Sequence, residues 1–408
     1  MANSGEPPAA AGDIDGYPLL TRAAMLAVAT VGATIFAISP LLPDIAQSFA
    51  IEPGHAGLLL TVYSIVLALA APIVGLTAKQ LPRSRVIVGG LVVFALAWLG
   101  AGQAQCFELL LALAAVAGAA TGTVLPAAYA LAGDLSSYEQ RGRAVGRIVS
   151  GWSIAILLVV PTMAFAAQLI DWRSAFAGLA LAALGCALAI ALAPRPAQAT
   201  PAGPLVLAAL VADLRAVLSD RGARLVLAVN LIDMGAFYGV YAFLGSELRQ
   251  ANGWDSGLTG LVIAVYGVGL LILTRNAGWI DRIGKERSGV MALCGLGALL
   301  VMLTLLVGIP PLALASLLCW GLLQGTFFTS ITALATEQVV RLRGVMTAML
   351  SCSTYVGVTL FTPGTAWLYQ HFGFYAVGIA CGLACVAAAA LLTRLPIATR
   401  GNRPVLPP

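Results

Sequence analysis

Apolar runs of about 20 residues, separated by short polar or glycine- and proline-bearing breaks, repeat along the whole chain. Twelve can be marked, at approximately 21–42, 56–77, 86–105, 108–131, 143–168, 173–193, 223–246, 257–277, 288–308, 311–335, 344–368 and 373–393. About 20 apolar residues are enough for a helix to cross a bilayer, so each run predicts a membrane-spanning helix. The single long break, 194–222, opens with PRPAQATPAGP, a proline-rich connector. It continues as LVLAALVADLRAVLSDRG, where Asp213, Arg215, Asp220 and Arg221 make a further span too costly. That piece predicts a short amphipathic helix on the membrane surface.

The runs also repeat as a block. GLLLTVY at 57–63 returns as GLVIAVY at 260–266, and ALAGD at 130–134 as ALATE at 333–337, both offset by 203. Arg141-Gly142 and Arg343-Gly344 are offset by 202, as are Pro161 and Pro363. Two six-helix halves of common design follow, at 21–193 and 223–393, with tails at 1–20 and 394–408 and the linker between. Parallel internal halves around an axis along the membrane normal are a transporter architecture, with the site near mid-membrane between them.

Composition sharpens this. With 408 residues, 60% hydrophobic and 10% charged, the chain is far from the usual soluble balance of about 45–50% apolar and 25% charged. A soluble enzyme, a disordered chain and a disulfide-stapled module are excluded. The formal charge of +5 is a topology signal rather than a nucleic-acid footprint, because the basic residues sit in loops. With the N-terminus in the cytoplasm, all but two of the 22 Lys and Arg fall inside, the exceptions being Arg173 and Arg249. An even number of spans places the C-terminus inside as well. Residues 1–18 lack a basic n-region, which argues against a cleaved signal peptide. Seven scattered cysteines, Cys381 and Cys385 included, read as packing, and two histidines, His55 and His371, cannot build a metal or catalytic cluster. No GxxxxGK[ST] loop is present, so ATP is not expected to drive this chain.

The motifs resemble the major facilitator superfamily over roughly 20–395. Its loop motif GxxxDRxGRR is matched by AGWIDRIGKER, with Asp281, Arg282, Gly284, Lys285 and Arg287 in place. The first-half copy, GLTAKQLPRSR, keeps Gly75, Arg83 and Arg85 but has Lys79 for the aspartate and Pro82 for the glycine. Pro161, Trp172, Arg173 and Phe176 are similar to the VPxG and WRxxF segments of the arabinose-efflux and chloramphenicol-resistance branch, although Thr162 and Met163 stand where a glycine is expected. The resemblance implies an all-α integral membrane protein of the major facilitator fold, with 12 transmembrane helices in two pseudo-symmetric six-helix bundles. It implies a bacterial inner-membrane location, a monomer, and no cofactor beyond a proton gradient. It also implies a cytoplasmic gate of Asp281, Arg282, Gly284, Gly75, Arg83 and Arg141. There Asp281 would dock on the start of the helix near Gly142 to Gly146, where unpaired N–H groups favour an anion. Lys79 has the wrong sign for the matching role, so the latch is expected to be asymmetric; solvated loop charges obeying the topology rule are the plain alternative.

One residue breaks the apolar pattern. Asp233 lies near the middle of the seventh run, where an aspartate costs about 2.5–3.5 kcal/mol. Asn230, Asp233, Phe237 and Tyr241 share a helix face, which is expected to look into a cavity. Gly235, Gly239, Ala242 and Ser246 form a roughly opposite face of small residues suited to close packing. Asp233 could carry a proton, hold a cationic or hydroxyl-rich substrate, or let the two compete; its structural alternative is a carboxyl hydrogen-bonded to a neighbouring helix. Thr121 and Gln324 correspond through the repeat in helices four and ten, as do Tyr63 and Tyr266 in two and eight. The resemblance implies that helices one, four, seven and ten line the cavity, which adds Thr30 and Thr34, although a threonine can also satisfy itself on its own helix. Ala114 stands where related drug antiporters carry a relay arginine, leaving Asp233 as the proton-coupling candidate.

The expected activity is proton-coupled efflux of a small organic solute, drug or sugar-like, by alternating access. Its partners are that solute, protons and the lipid bilayer, without nucleic acid or ATP. Uptake by proton symport is the alternative, and a transporter-like sensor or scaffold that moves nothing is the alternative of another class.

Overall fold

The computed structural model describes residues 17–77, 82–136, 141–194, 207–275 and 278–395, and among these no strand occurs. Twelve helices are long and apolar enough to cross a membrane. In chain order they are α1 Pro18–Ser48, α2 Pro53–Ala71, α3 Arg83–Ala101, α4 Phe107–Ala132, α5 Ala144–Leu169, α6 Trp172–Leu192, α7 Arg221–Asn252, α8 Ser256–Leu273, α9 Lys285–Leu306, α10 Pro310–Gln338, α11 Val345–Phe372 and α12 Phe374–Leu392. A separate helix, Leu207–Ser219, occupies the linker as expected. Two helices overrun their hydropathy boundaries by six residues, α1 from 42 to Ser48 and α7 from 246 to Asn252. Pro40 and Pro43 lie inside α1, each without the N–H that would bond the preceding turn.

The repeat is physical. Gly118 of α4 and Gly321 of α10 are 203 residues apart, and each meets the backbone of the helix two before it in the same way. A Cβ on Gly118 would stand 2.3 Å from the Tyr63 carbonyl, and one on Gly321 would stand 2.0 Å from the Tyr266 carbonyl. Only glycine lets α4 approach α2, and α10 approach α8, so closely. The loop-facing ends repeat too: Arg83 pairs with Asp134 at 3.6 Å, and Lys285 pairs with Glu337.

Helices α1 and α7 form the centre. Of their apolar stretches 89% and 78% are buried, against 39–61% for the other ten, so these two are shielded from lipid on nearly all sides. The halves meet along three seams: α1 on α7, α2 on α11 and α5 on α8. The second and third are each other's counterparts under the repeat. The WR..F residues hold the first half together at the ends of α1 and α6. Asp171 caps α6 by accepting from the Ser174 N–H at 2.7 Å. The Trp172 indole donates to Ser48 at 2.8 Å, Phe176 stacks on Trp98 at 4.1 Å, and the Arg173 guanidinium lies 4.4 Å over the Trp172 ring.

Candidate functional site

Asp233 is 1% exposed, so the most expensive side chain of α7 faces neither lipid nor bulk water. Gln324 of α10 donates from Nε2 to Asp233 Oδ2 at 2.7 Å. Oδ1 is buried without a partner, and no ion pair between described residues involves this carboxyl. Two residues singled out separately in the sequence are therefore one hydrogen-bonded unit inside the second half. A buried carboxyl with one neutral donor and no cation is costly to hold ionised.

The remaining members of the proposed cavity face divide. Asn230 spends its Nδ2 on α11, at 3.1 Å from the Leu350 carbonyl, 2.8 Å from Ser353 and 3.0 Å from Thr354. Tyr241 donates across the molecule to the Phe36 carbonyl of α1 at 3.1 Å. The face thus looks at α10 and α11 near Asp233 and at α1 one to two turns further on, because α7 is enclosed by helices all round. The small-residue face behaves as expected, with Gly235 against Phe361 and Gly239 against Thr365 and Cys381.

The first half has a polar counterpart. The Tyr63 hydroxyl donates to Thr121 Oγ1 at 2.7 Å, with the Val31 carbonyl at 3.3 Å and Thr34 beside it. Thr30, which matches Asp233 through the 203-residue offset, bonds its own helix at the Leu26 carbonyl, 2.8 Å away, and touches Cys186 of α6. It is not brought together with Asp233.

Between the halves lies an aromatic centre that residue types alone did not single out. Phe36 of α1 meets Trp152 of α5 edge-on at 6.0 Å, and meets Phe237, Tyr238 and Tyr241 of α7 at 6.4, 6.1 and 5.3 Å. Trp152 fills the space above Gly32 and donates to the Tyr129 hydroxyl at 2.8 Å. Tyr63, Tyr129, Tyr238 and Tyr355 come from α2, α4, α7 and α11. The hydroxyls of Tyr238 and Tyr355 make no hydrogen bond among the described residues. A signal was available, since Trp152 and Trp320 sit within spans whereas tryptophan favours membrane interfaces. Next to Trp152, α5 widens into one π-helical turn at Ala155–Val159, just before Pro161, a distortion common at functional sites.

Proline chemistry ties the centre to one end of the molecule. Pro40 has no N–H, so the Phe36 carbonyl four residues earlier loses its partner within α1 and is left for Tyr241. Ser39 inserts its hydroxyl into α7, donating to the Tyr241 carbonyl at 2.5 Å and accepting from the Gly245 N–H at 3.0 Å. One turn on, Arg249 grips Asp44 with two bonds of 2.7 and 2.8 Å and reaches the Pro40 carbonyl at 3.3 Å. Thr61 bonds Thr362 at 3.0 Å across α2 and α11, and Gln168 bonds Asp255 at 2.7 Å between the ends of α5 and α8. Every hydrogen bond between described residues that joins the halves lies at or beyond the aromatic centre, on the end opposite the linker. A cavity of about 400 Å³ opens on that end, lined by residues that include Pro43, Ser246, Arg249, Trp254 and Tyr369.

At the linker end the expected gate is partly in view. Gly284 has φ of 101°, a conformation that favours glycine, and leads directly into α9. Arg282 is exposed, and Arg83 pairs within its own half. Of Gly75, Arg141 and Asp281 only the helical backbone is described, and Lys79 lies outside the described residues.

Comparison with known proteins agrees with this architecture. A family model described as Major Facilitator Superfamily matches residues 24–245 and 225–407. The chain is 30% identical over 367 residues to the MFS-type transporter YwfA of Bacillus subtilis (strain 168), covering 90% of this chain and 89% of that one. It is 27% identical to a chloramphenicol resistance protein of Streptomyces lividans, with 73% of each covered. The crystal structure of a D-xylose-proton symporter superposes with a TM-score of 0.75 at 17% identity, covering 94% of this chain and 99% of that one. Duplicated six-helix bundles around a buried polar and aromatic centre, the family match over both halves and the relatives together place the chain in the major facilitator superfamily: it is a multi-pass membrane transporter of a small molecule, not an enzyme.

Proposed function

We propose that the chain is a proton-coupled exporter of a small organic solute, working by alternating access in a bacterial inner membrane with both termini in the cytoplasm. The Asp233–Gln324 unit carries this reading. It is a carboxyl at mid-span, on one of the two central helices, with no ion pair among the described residues. Such a group changes charge only by taking up or releasing a proton, and each change alters the cost of keeping α7 packed on α10. That coupling is what a transporter needs to tie a gradient to movement. A scaffold would have no use for it.

The distribution of basic residues favours a cytoplasmic linker end. The end at which described residues tie the halves together then faces outward. The similarity to a chloramphenicol resistance protein favours efflux over uptake.

Asp233→Asn tests the reading in everted vesicles with an imposed proton gradient. The variant is expected to insert at normal level, keep solute binding, and lose gradient-driven accumulation by at least about tenfold, as a transition-specific loss of about 1.4 kcal/mol would give. Full gradient-driven transport by a well-inserted variant rejects the coupling role. Solute uptake into right-side-out cells that rises with the gradient assigns symport instead.

A further inference from the structure

The repeat carries a further motif in two copies. Glu52-Pro53-Gly54-His55-Ala56-Gly57 opens α2, and Asp255-Ser256-Gly257-Leu258-Thr259-Gly260 opens its counterpart α8, so an acid and two glycines recur at an offset of 203. Gln168 near the end of α5 returns as Gln370 near the end of α11, at the offset of 202 that also relates Pro161 to Pro363. The structure joins these copies crosswise, at the end opposite the linker. Gln370 of the second half lies over Gly54 of the first, where an added Cβ would stand 2.3 Å from its Cγ and 2.5 Å from its Nε2. Gln168 of the first half lies over Gly257 of the second, where a Cβ would stand 2.1 Å from its Oε1 and 2.5 Å from Phe165 Cδ1. Both glycines are buried and both glutamines are exposed, so each amide side chain is a lid on a notch in the opposite half.

Neither glycine has a positive φ, so the backbone would accept alanine and only the seat of the glutamine asks for a bare Cα. These contacts differ from those of Gly118 and Gly321, which meet backbone within one half. A glutamine side chain has several rotamers, so it can leave its notch and return without any helix refolding. The two seats are unequal. Asp255 accepts from Gln168 Nε2 at 2.7 Å while capping α8 through the Leu258 N–H at 2.8 Å. Its counterpart Glu52 caps nothing with its side chain, and no hydrogen bond joins it to Gln370 among the described residues. From this reciprocal placement we infer that Gln168 and Gln370 are paired gating residues: each closes its own seam by seating over the glycine near the start of the other half's second helix, and both seats empty when the end opposite the linker opens. The role rests on the alternating-access reading above, in which that opening is one step of the cycle.

Distances between spin labels at Gln105→Cys and Gly308→Cys, exposed positions 203 apart in equivalent loops of the two halves, report the opening. They are measured on the purified full chain in lipid nanodiscs, with the native cysteines replaced by serine. Gly54→Ala and Gly257→Ala are each expected to raise the ratio of open to closed at least about fivefold, because the methyl group evicts the glutamine. Gln370→Ala and Gln168→Ala loosen a seat without overfilling it and are expected to raise the ratio about two- to fivefold, Gln168→Ala the more because it also forfeits the Asp255 bond. Once its own glutamine is shortened, Gly54 should cease to matter. Gly54→Ala/Gln370→Ala is expected within about twofold of Gln370→Ala alone, whereas Gly54→Ala/Gln168→Ala should multiply the two single effects. An unchanged distribution in Gly54→Ala, as a glutamine free to swing aside would give, overturns the inference. So do multiplied effects within the Gly54–Gln370 pair or cancelled effects between pairs. If a glycine variant does not fold, the glutamine variants decide, since each only trims an exposed side chain: an unchanged distribution in both overturns the inference. The state populations are read without solute, so the two readings fail separately. Populations that follow this pattern in a chain that moves nothing in everted vesicles keep the gate and sink export, whereas gradient-driven efflux with unmoved populations keeps export and sinks the gate.

Discussion

Asp233 and Gln324 illustrate how an energetic liability becomes informative only when its partner is known. The carboxyl receives one hydrogen bond, from a side chain that has no other bond among the described residues. Gln324→Leu removes that donor and leaves the buried acid with no partner, so it is expected to destabilise the protein by about 1–3 kcal/mol. The double variant Asp233→Leu/Gln324→Leu removes both polar groups and is expected to recover most of that loss while abolishing gradient-driven transport. Thermal unfolding in detergent, with vesicle transport alongside, checks both. A double variant less stable than Gln324→Leu alone would show that the pair is not the energetic unit described. Asp233 was legible in the sequence because a charge inside an apolar run has few cheap explanations. Its bond to Gln324 was not, because the repeat gives correspondence between halves and not contact within one. Thr30 shows the converse. Correspondence puts it in the place of Asp233, but a threonine can bond its own helix and so need not share a function. Phe36, Trp152 and Tyr238 escaped notice because an aromatic residue in an apolar helix looks like core until its neighbours are known.

At the scale of elements, periodicity and length were enough to find all twelve spans and the linker helix, because a bilayer leaves few other ways to satisfy a backbone. Local departures from regular helix were not readable, since they depend on what stands opposite. Pro40 is the clearest case. In sequence it is a helix breaker near the end of a run; in the structure it frees the Phe36 carbonyl, which Tyr241 of the other half then claims. The seam between α1 and α7 is thus built partly from a hydrogen bond that one helix was prevented from keeping. Pro40→Ala returns an N–H to α1 and lets it reclaim that carbonyl; Tyr241→Phe deletes the donor. Both are expected to weaken the same closed seam, by about 0.5–1.5 kcal/mol for one neutral hydrogen bond. Maleimide labelling of Ser246→Cys, buried at this end, reads the result as faster modification in either background. Because both changes remove one bond, the double variant is expected to be no faster than the quicker single one. Additive acceleration would mean that proline acts on α1 in some other way.

For the whole molecule, the hydrogen bonds between described residues that join the halves gather toward one end. Three seams converge on the end opposite the linker, and the strongest tie on them is the two-pronged Arg249–Asp44 pair, with side chains 21% and 25% exposed. Arg249 was one of two basic residues on the wrong side of the charge pattern, and this pairing is its physical reason: a topology rule yields where a cation has a dedicated anion. A partly exposed, bidentate pair is worth about 1–2 kcal/mol, between the values for surface and buried charge-assisted bonds. Over a two-state equilibrium that energy is a factor of about 5–30 in the ratio of states. Arg249→Ala and Asp44→Ala are each expected to raise the population open at that end by such a factor, read as spectroscopic distance between labels on α1 and α7. The exchange Asp44→Arg/Arg249→Asp should restore the distance distribution if charge complementarity is what holds the ends together. The Ser39, Thr61–Thr362 and Gln168–Asp255 ties remain in all these variants, so the halves should still close, only less often. Transport should then show a division of effects. On the export reading, a looser tie at that end is expected to lower turnover while solute affinity stays unchanged. An affinity loss as large as the turnover loss would show that the pair shapes the binding site and does not act as a gate.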